Sequence, residues 1–355
     1  MFKVISRLLL SGACLFVAFI FMLLAKYAGG WIFDFYSDLS RKVMGILATV
    51  TSLIPVAVWE VGLVTLLLWM IYTMIRSLWP FRLHIWLSGV ILSVSFGTLL
   101  FVCLWGLNYF APSMESSLHL PERQYTVEEL KEATAYYRDM ASLWAQEVQR
   151  DEHGAMIRYD FGDLAERANE GYQVLEREFP RMKGVSAPVK PLFFSGLYTK
   201  TGLIGFFCPF SGESTVSTET HPTDIPFTMC HEIGHRLAFA REDEANFAGF
   251  LACITNEAPE FRYSGYYKAF IYCYNALYKV DPAAAFALWP AADSYLSIDT
   301  GSSTQHYEEN KSDTLSSVTD KVHDSYLQGF GVQNGTQSYG EVADLLLAWY
   351  FERIA

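Results

Sequence analysis

Three long apolar runs occupy the first third of the chain, and polar residues separate them. They extend from Leu8 to Ala25, from Ile54 to Ile75 and from Ile85 to Leu107. Each is long enough, as an α-helix, to cross the hydrocarbon core of a bilayer. The pattern predicts three transmembrane helices within residues 1–110. An aromatic and basic segment at 27–43 is predicted to be a loop at the membrane surface.

The pattern changes after a predicted linker at residues 111–125. Thr126 and Glu129 have the spacing of a capping box, which predicts that a helix begins there. Apolar residues then recur at helical spacing over most of residues 126–355, including a helix predicted at 315–327. The expected fold class is therefore an α-helical membrane region followed by a mostly helical α+β domain with a small sheet.

A few short segments of the second domain lack helical spacing. Strands are predicted at 192–194 and 203–207, with a third candidate strand near 214–217. The polar segments at 299–311 and 329–337 are predicted to be loops. The segment at 202–207 is either a buried strand or an edge strand that pairs with an extended substrate.

Composition and charge narrow the classes of function. The 355 residues are 52% hydrophobic, which is high for a soluble domain, and the net charge of −12 argues against a nucleic-acid partner. A lipid bilayer is the expected partner of the first region. Basic residues flank the spans unequally, with four on the side of the N-terminus and three on the other: Lys3, Arg7, Arg76 and Arg82, against Lys26, Arg41 and Lys42. This bias predicts a cytoplasmic N-terminus and a second domain on the extracytoplasmic side.

The motif with the clearest chemistry is His231-Glu232-Ile-Gly-His235. Histidines four residues apart lie on one face of a helix and can hold one Zn²⁺ ion between their rings, while Glu232 beside them can act as a general base. The alternative is a surface helix with two ordinary histidines. The apolar residues that flank the motif predict a buried helix instead, where His-Glu-His without a partner would be costly.

A catalytic zinc ion takes three protein ligands, so a third ligand must follow the two histidines. Glu242 is the predicted ligand, and Glu244 is the alternative because helix boundaries in short turns shift by a residue or two. Glu242 and Asn246 resemble the E-x-x-x-D/N pattern of gluzincin metallopeptidases. That resemblance implies that Asn246 steadies a zinc-binding histidine. The spacing from His235 to Glu242 is shorter than in most gluzincins and requires a tight helical hairpin.

Three sequence runs together resemble the DUF3810 family: P-F-S-G-E, H-E-I-G-H-R-L-A-F-A-R-E-D-E-A-N-F and S-Y-G-E-V-A-D-L-L-L. The resemblance implies a multi-span protein of the bacterial cell membrane with a C-terminal zincin-like domain. It implies no substrate.

The expected function is that of a membrane-anchored zinc metallopeptidase, which hydrolyses peptide bonds of a peptide or protein substrate with Glu232 as general base. Two alternatives stay open. One is a binding or regulatory membrane protein with a structural zinc, closed by Cys230 or His221 as fourth ligand. The other is a zinc hydrolase of cell-wall peptides.

Further roles stay open on residue type alone. Tyr198, Tyr263 and His306 are candidate donors to an oxyanion, although each is also an ordinary structural residue. Glu213 either binds a substrate amine or caps a turn. Glu60, near the start of the second span, is either a functional carboxylate within the membrane or an interfacial residue beside Trp59.

Overall fold

The computed structural model describes residues 2–27, 30–79, 81–121, 123–317, 319, 321 and 339–355. The helix predicted at 315–327 lies largely outside the described residues, and the loop predicted at 329–337 lies wholly outside them. In chain order, the long helices and their shorter neighbours are α1 (Phe2–Tyr27), α2 (Gly30–Thr51), α3 (Val58–Leu78), α4 (Leu83–Leu104), α5 (Met114–Leu118), α6 (Val127–Trp144), α7 (Phe161–Arg167), α8 (Glu170–Leu175), α9 (Ser195–Thr201), α10 (Ile225–Arg236), α11 (Glu242–Thr255), α12 (Pro259–Val280), α13 (Pro282–Leu288), α14 (Tyr295–Asn310) and α15 (Tyr339–Arg353).

Helices α1, α3 and α4 are long and apolar enough to cross a membrane, which confirms the three predicted spans. Helix α1 packs along α4, and α3 also contacts α4. Many large apolar side chains on these helices are exposed, as expected where a helix faces lipid rather than protein.

The loop predicted at residues 27–43 is wrong, because most of this segment belongs to α2. Its charges are paired within the helix, since Asp38 accepts from Arg41 and Lys42 one turn away. Its apolar face includes Met44, which is buried with Trp105 at the end of α4. The polar and aromatic residues of this segment are compatible with a surface loop as well as with a helix. Packing of its apolar face decides for an amphipathic helix.

Two short elements connect α4 to the second domain. A 3-10 helix spans Gly106–Phe110, and α5 follows within the segment predicted as a linker. Met114 and Leu118 in α5 are buried in the core of the domain. The membrane helices and the domain are thus joined by packed structure along this segment.

The sheet has three short strands in the order β1-β3-β2. They are β1 (Lys190–Pro191), β2 (Gly205–Cys208) and β3 (Glu213–Val216). Strand β1 is parallel to β3, and β2 is antiparallel to β3 and lies at an edge. The predicted strands at 203–207 and 214–217 correspond to β2 and β3. The strand predicted at 192–194 is wrong: β1 ends before it, and α9 begins just after it.

The start of α3 is held by a buried ion pair, here called the junction cluster (Lys190, Glu213 and the backbone leading into α3). Glu213 Oε1 and Oε2 accept from the amides of Val58 (2.8 Å) and Trp59 (2.9 Å), so Glu213 caps the helix. Lys190 Nζ donates to Glu213 at 2.6 Å and to two carbonyls, of Thr51 and of residue 56. The open question on Glu213 is thereby answered in favour of a cap, although the helix that it caps is a membrane span.

The core of the second domain forms where α6, α11, α12 and α15 pack together. Thr126 and Glu129 form the predicted capping box at the start of α6. The polar loop predicted at 299–311 is wrong, because residues 295–310 form α14. Asp299 in α14 is fully buried and pairs with Arg150. The polar composition of this segment did not indicate a helix, because its polar side chains form hydrogen bonds and ion pairs inside the protein.

Candidate metal centre

The candidate centre lies on two consecutive helices, α10 and α11, joined by a five-residue turn at 237–241. Pro226 sits in the first turn of α10, where its missing amide costs no hydrogen bond. The helix ends with Phe239 N donating to Gly234 O, while Ala238 adopts a left-handed conformation (φ 71°). This reversal brings the start of α11 back beside the end of α10. The tight hairpin required by the short spacing is therefore present.

Close packing of the two helices depends on a glycine. A side chain at Gly249 in α11 would come within 3.1 Å of the backbone nitrogen of His231. The absence of a Cβ allows α11 to approach the helix that carries the motif.

Three side chains converge where the two helices meet. Glu242 Oε2 lies 3.4 Å from His231 Nε2, and Glu242 Oε1 lies 3.7 Å from His235 Nε2. One ligand atom from each of the three residues falls within 4.8 Å of the others. The structure thus brings together His231, His235 and Glu242, the three residues predicted as metal ligands.

His235 is oriented by contacts on both sides of its ring and backbone. Its Nδ1 lies 2.8 Å from the carbonyl of Phe239, which leaves Nε2 directed toward Glu242. Its own carbonyl accepts from the indole nitrogen of Trp105 at 3.1 Å. Because Trp105 follows the last residue of α4, a membrane helix ends one hydrogen bond away from a predicted ligand.

Glu232 is 4% exposed and lies beside the edge strand β2. A Cβ at Gly205 would come within 2.3 Å of Glu232 Oε1, so a larger residue here would require the Glu232 carboxylate to move. The other carboxylate oxygen, Oε2, is buried and has no hydrogen-bond partner among the described residues. An unsatisfied buried oxygen is costly in a purely structural residue.

The electrostatics of the cluster follow from burial and from Glu242. Burial raises the pKa of Glu232 to about 7, and the opposing effect of the two histidines is smaller. Burial by itself lowers the pKa of His235, but Glu242, together with Glu232 and the carbonyl of Phe239, raises that pKa to about 9. The carboxylate of Glu242 therefore acts on His235 as an opposite charge in a site largely shielded from water.

Glu244 and Asn246, the other two predicted residues on α11, contact residues outside the converging group. Glu244 is buried and accepts from the amide of Met114 at 2.9 Å, and burial raises the pKa of its carboxyl to about 7. Glu244 is thus not among the converging groups, and the choice of Glu242 over Glu244 agrees with the geometry. Asn246 accepts from the hydroxyl of Tyr272 at 3.0 Å. Asn246 was expected to steady a zinc-binding histidine, but Nδ1 of His235 faces the carbonyl of Phe239, and Nδ1 of His231 is buried with no hydrogen-bond partner in the described part of the chain.

The candidates for additional roles at the centre contact other residues, and none of them is among the converging ligands. The Cys230 thiol faces the carbonyl of Ala168, and both ring nitrogens of His221 face hydroxyl groups. Tyr263 donates to Asp299, and His306 contacts the carbonyl of Glu219. The ring of Tyr198 packs near Trp59 at the start of α3.

The donor set suits zinc. Two imidazole nitrogens and one carboxylate oxygen are ligands that Zn²⁺ prefers, and three protein ligands are the number found in catalytic rather than structural zinc sites. Among the described residues, the group that could hold a metal ion consists of His231, His235 and Glu242. Next to this set lies the Glu232 carboxylate, whose Oε2 has no hydrogen-bond partner among the described residues.

Comparison with known proteins decides the family. The DUF3810 family model, described as a protein of unknown function, matches residues 35–347. The chain belongs to the DUF3810 family. A search of curated proteins and a search of solved structures found no significant match. The match includes most of α2, the spans α3 and α4 and most of the second domain, so these two spans and the candidate centre fall within one family match.

Three residues of this DUF3810 member that shape the centre were missed by sequence reasoning. Trp105 contacts His235, Gly205 contacts Glu232, and Tyr272 contacts Asn246. Each comes from an element far from α10 in the sequence. A tryptophan at the end of a span is usual at a membrane surface, so it gave no separate signal.

Proposed function

We propose that this DUF3810 member is a membrane-anchored zinc metallopeptidase that hydrolyses peptide bonds. The observation that carries the proposal is the convergence of His231, His235 and Glu242 on one point, beside a buried Glu232 oxygen for which the described part of the chain offers no hydrogen-bond partner. A structural ion pair would satisfy these groups, whereas a catalytic site leaves them available.

Each residue of the site has a distinct role in the proposed reaction. His231, His235 and Glu242 would hold the ion, which when bound acts as a Lewis acid and activates water for attack on a carbonyl. Glu232 takes the proton from the attacking water and passes it to the leaving amine. Its position between the histidines and Gly205 places it next to edge strand β2.

Strand β2 suits the binding of an extended substrate. It lies at an edge of the sheet in the order β1-β3-β2, and Gly205 at its start adjoins Glu232. A peptide added to this edge would pass the general base, with main-chain hydrogen bonds holding it in an extended conformation. This supports a peptide as the substrate over a small molecule.

We also propose that the second domain lies on the extracytoplasmic side of a bacterial cell membrane. Three helices, α1, α3 and α4, are long and apolar enough to anchor the protein, and the basic residues around them favour a cytoplasmic N-terminus. The odd number of spans supports the opposite side for the second domain.

The test uses the full chain purified in lipid nanodiscs. Bound metal is measured by mass spectrometry, and cleavage is followed with a library of quenched fluorescent peptides, before and after metal removal by a chelator. We expect about one zinc per chain and cleavage that is lost on chelation and restored by zinc.

The matched variant is Glu232→Gln, which keeps the size of the side chain and removes the base. We expect unchanged zinc content and a fall in cleavage rate of roughly 10²–10⁴-fold. Cleavage by this variant at the wild-type rate would rule out Glu232 as the base. A protein with no zinc, or with zinc and no cleavage of any peptide, would contradict the peptidase.

A further inference from the structure

The depth of the candidate centre relative to the bilayer can be read from α4. This helix has 22 residues, which at 1.5 Å each gives about 33 Å, close to the thickness of a hydrocarbon core. Trp105, the next residue, therefore lies at the depth of the lipid headgroups, where tryptophan is favoured. Its indole donates to the carbonyl of His235. The side chain of Trp105 therefore separates the candidate centre from the hydrocarbon core of the bilayer.

Helix α3 gives the same depth independently. Its first turn carries Trp59, whose ring lies 4.8 Å from that of Phe206 in β2. The ring of Trp105 lies 5.7 Å from that of Phe207, the next residue of the same strand. Two interfacial tryptophans, one on each span, thus contact neighbouring residues of the strand that adjoins Glu232.

The second domain also presents an apolar surface at this level, here called the apolar rim (Phe193, Phe194, Leu197 and Phe210). Its side chains are between 40% and 75% exposed. Phe193 and Phe194 donate their amides to Glu60 in the first turn of α3, and the ring of Phe210 lies 6.3 Å from that of Phe101 in α4. Because the rim continues the surface of two spans, lipid is the occupant that fits it.

Contacts with the membrane-region helices hold the second domain close to headgroup depth. The junction cluster ties β1 and β3 to the start of α3, and Arg41 in α2 donates to the carbonyl of Arg181 at 2.8 Å. Ser40 in α2 donates to the carbonyl of Leu104 at 2.7 Å, so α2 is held to the end of α4 as well. Hydrogen bonds from α2 and α3 thus hold the domain directly, and α2 is in turn bonded to α4, so the domain is attached close to the bilayer.

We infer that the substrates of the candidate centre are polypeptide segments at the bilayer surface, close to their own membrane anchor. This inference rests on the proposed peptidase function and adds the class of substrate. A segment near a transmembrane helix or lipid anchor reaches a centre at headgroup depth directly, whereas a soluble protein must bring an extended segment down to the lipid.

The test compares one random peptide library in three forms with the full-length protein in phosphatidylcholine vesicles. The peptides are free, or attached to a dipalmitoyl anchor through a spacer of about 5 or about 25 residues, which reach about 18 and 90 Å when extended. We expect both anchored forms to be cleaved at least about tenfold faster than the free form. We also expect the short spacer to be cleaved as fast as the long one.

Two outcomes overturn the inference while leaving the peptidase intact. One is cleavage of the long-spacer form with resistance of the short-spacer form, which would put the centre high above the lipid. The other is equal cleavage of free and anchored peptides. No cleavage of any form would instead overturn the proposed function, and the inference with it.

A measurement without activity checks the depth. A nitroxide is attached to Phe193→Cys in a Cys14→Ala, Cys103→Ala background, and the control label is at Glu152→Cys, whose side chain is 87% exposed. We expect the label at position 193 to collide more with oxygen, which concentrates in lipid, than with a polar nickel chelate, and the label at 152 to do the reverse. A water-exposed label at position 193 would contradict the lipid-facing rim. The four remaining cysteines are buried and do not compete: Cys208, Cys230, Cys253 and Cys273.

Discussion

Two buried polar clusters of this molecule differ in how their hydrogen-bonding capacity is used. In the junction cluster, Lys190 Nζ donates to three acceptors, and both oxygens of Glu213 accept from donors. In the candidate metal centre, the described residues leave His231 Nδ1 and Glu232 Oε2 without partners. Both clusters are buried and charged, yet only one of them is saturated.

The difference separates structural from chemical use of buried charge. A buried charge is tolerated when paired and hydrogen-bonded, and the junction cluster meets that condition while it fixes the domain to the membrane helices. The centre meets it only if a further partner, such as a metal ion with its water, completes the set. Unsatisfied buried groups that converge with histidines therefore indicate chemistry more strongly than burial or charge does.

The largest expected effect comes from breaking the saturated cluster. Lys190→Met leaves Glu213 buried without its cation, and we expect a loss of about 3 kcal/mol in the free energy of unfolding. Thermal unfolding in nanodiscs should show a clearly lower midpoint. The double variant Lys190→Met, Glu213→Gln is the control, because it removes both charges and should recover part of the loss. If the single variant unfolds like the wild type, the junction cluster does not hold the domain.

The next effect distinguishes the two glutamates at the start of α11. Glu242→Gln should weaken zinc binding by at least about 100-fold, or about 2.7 kcal/mol, because it removes a ligand rather than an outer-shell group. Glu244→Gln is the matched control, since Glu244 contacts the amide of Met114 instead. Zinc titration with a competing chelator measures both. Equal weakening by the two substitutions would mean that Glu242 is not a specific ligand.

A smaller effect is expected at Trp105, which connects the membrane helices to the centre. Trp105→Phe keeps an aromatic ring but removes the hydrogen bond to His235, and should cost about 0.5–1.5 kcal/mol of stability. We expect a modestly lower unfolding midpoint and slightly weaker zinc binding. Weaker zinc binding is the informative readout, because loss of packing alone would leave it unchanged. Unchanged zinc affinity would show that the span does not influence the ligand.

The smallest effect has the opposite sign. Ala238 has φ 71°, a conformation that favours glycine, so Ala238→Gly should stabilise the turn between α10 and α11 by about 0.5–1 kcal/mol. The unfolding midpoint should rise slightly with zinc content unchanged. A lower midpoint would mean that the added freedom of glycine in the unfolded chain outweighs the relief of strain.

Much of the fold could be predicted from local pattern. The three spans follow from length and hydropathy, and the capping box of Thr126 and Glu129 marks the start of α6. The misses at 27–43 and 299–311 share a cause, since both segments are rich in polar residues that tertiary contacts organise into helices. Asp299, for example, is buried and forms an ion pair with Arg150, and no local sequence pattern predicts that pairing.

The candidate site was also predictable in part, because several of its residues are close together in the sequence. His231 and His235 lie four residues apart on one helix, so their convergence follows from spacing, and Glu242 is near enough in sequence to be a candidate ligand. The support of a histidine by Asn246 was expected, but the side-chain oxygen of Asn246 accepts a hydrogen bond from Tyr272 in α12. Contacts from distant elements could not be read from the motif.

The sequence by itself determined that two histidines share a helical face and that three segments can cross a bilayer, because helical period and length are local properties. Only the tertiary structure decided that Glu242 rather than Glu244 faces the histidines, because the left-handed turn at Ala238 sets the rotation of α11. It alone also placed Trp105 and Gly205 beside the centre. Those contacts depend on how the membrane helices dock on the sheet, which is a property of packing between distant parts of the chain.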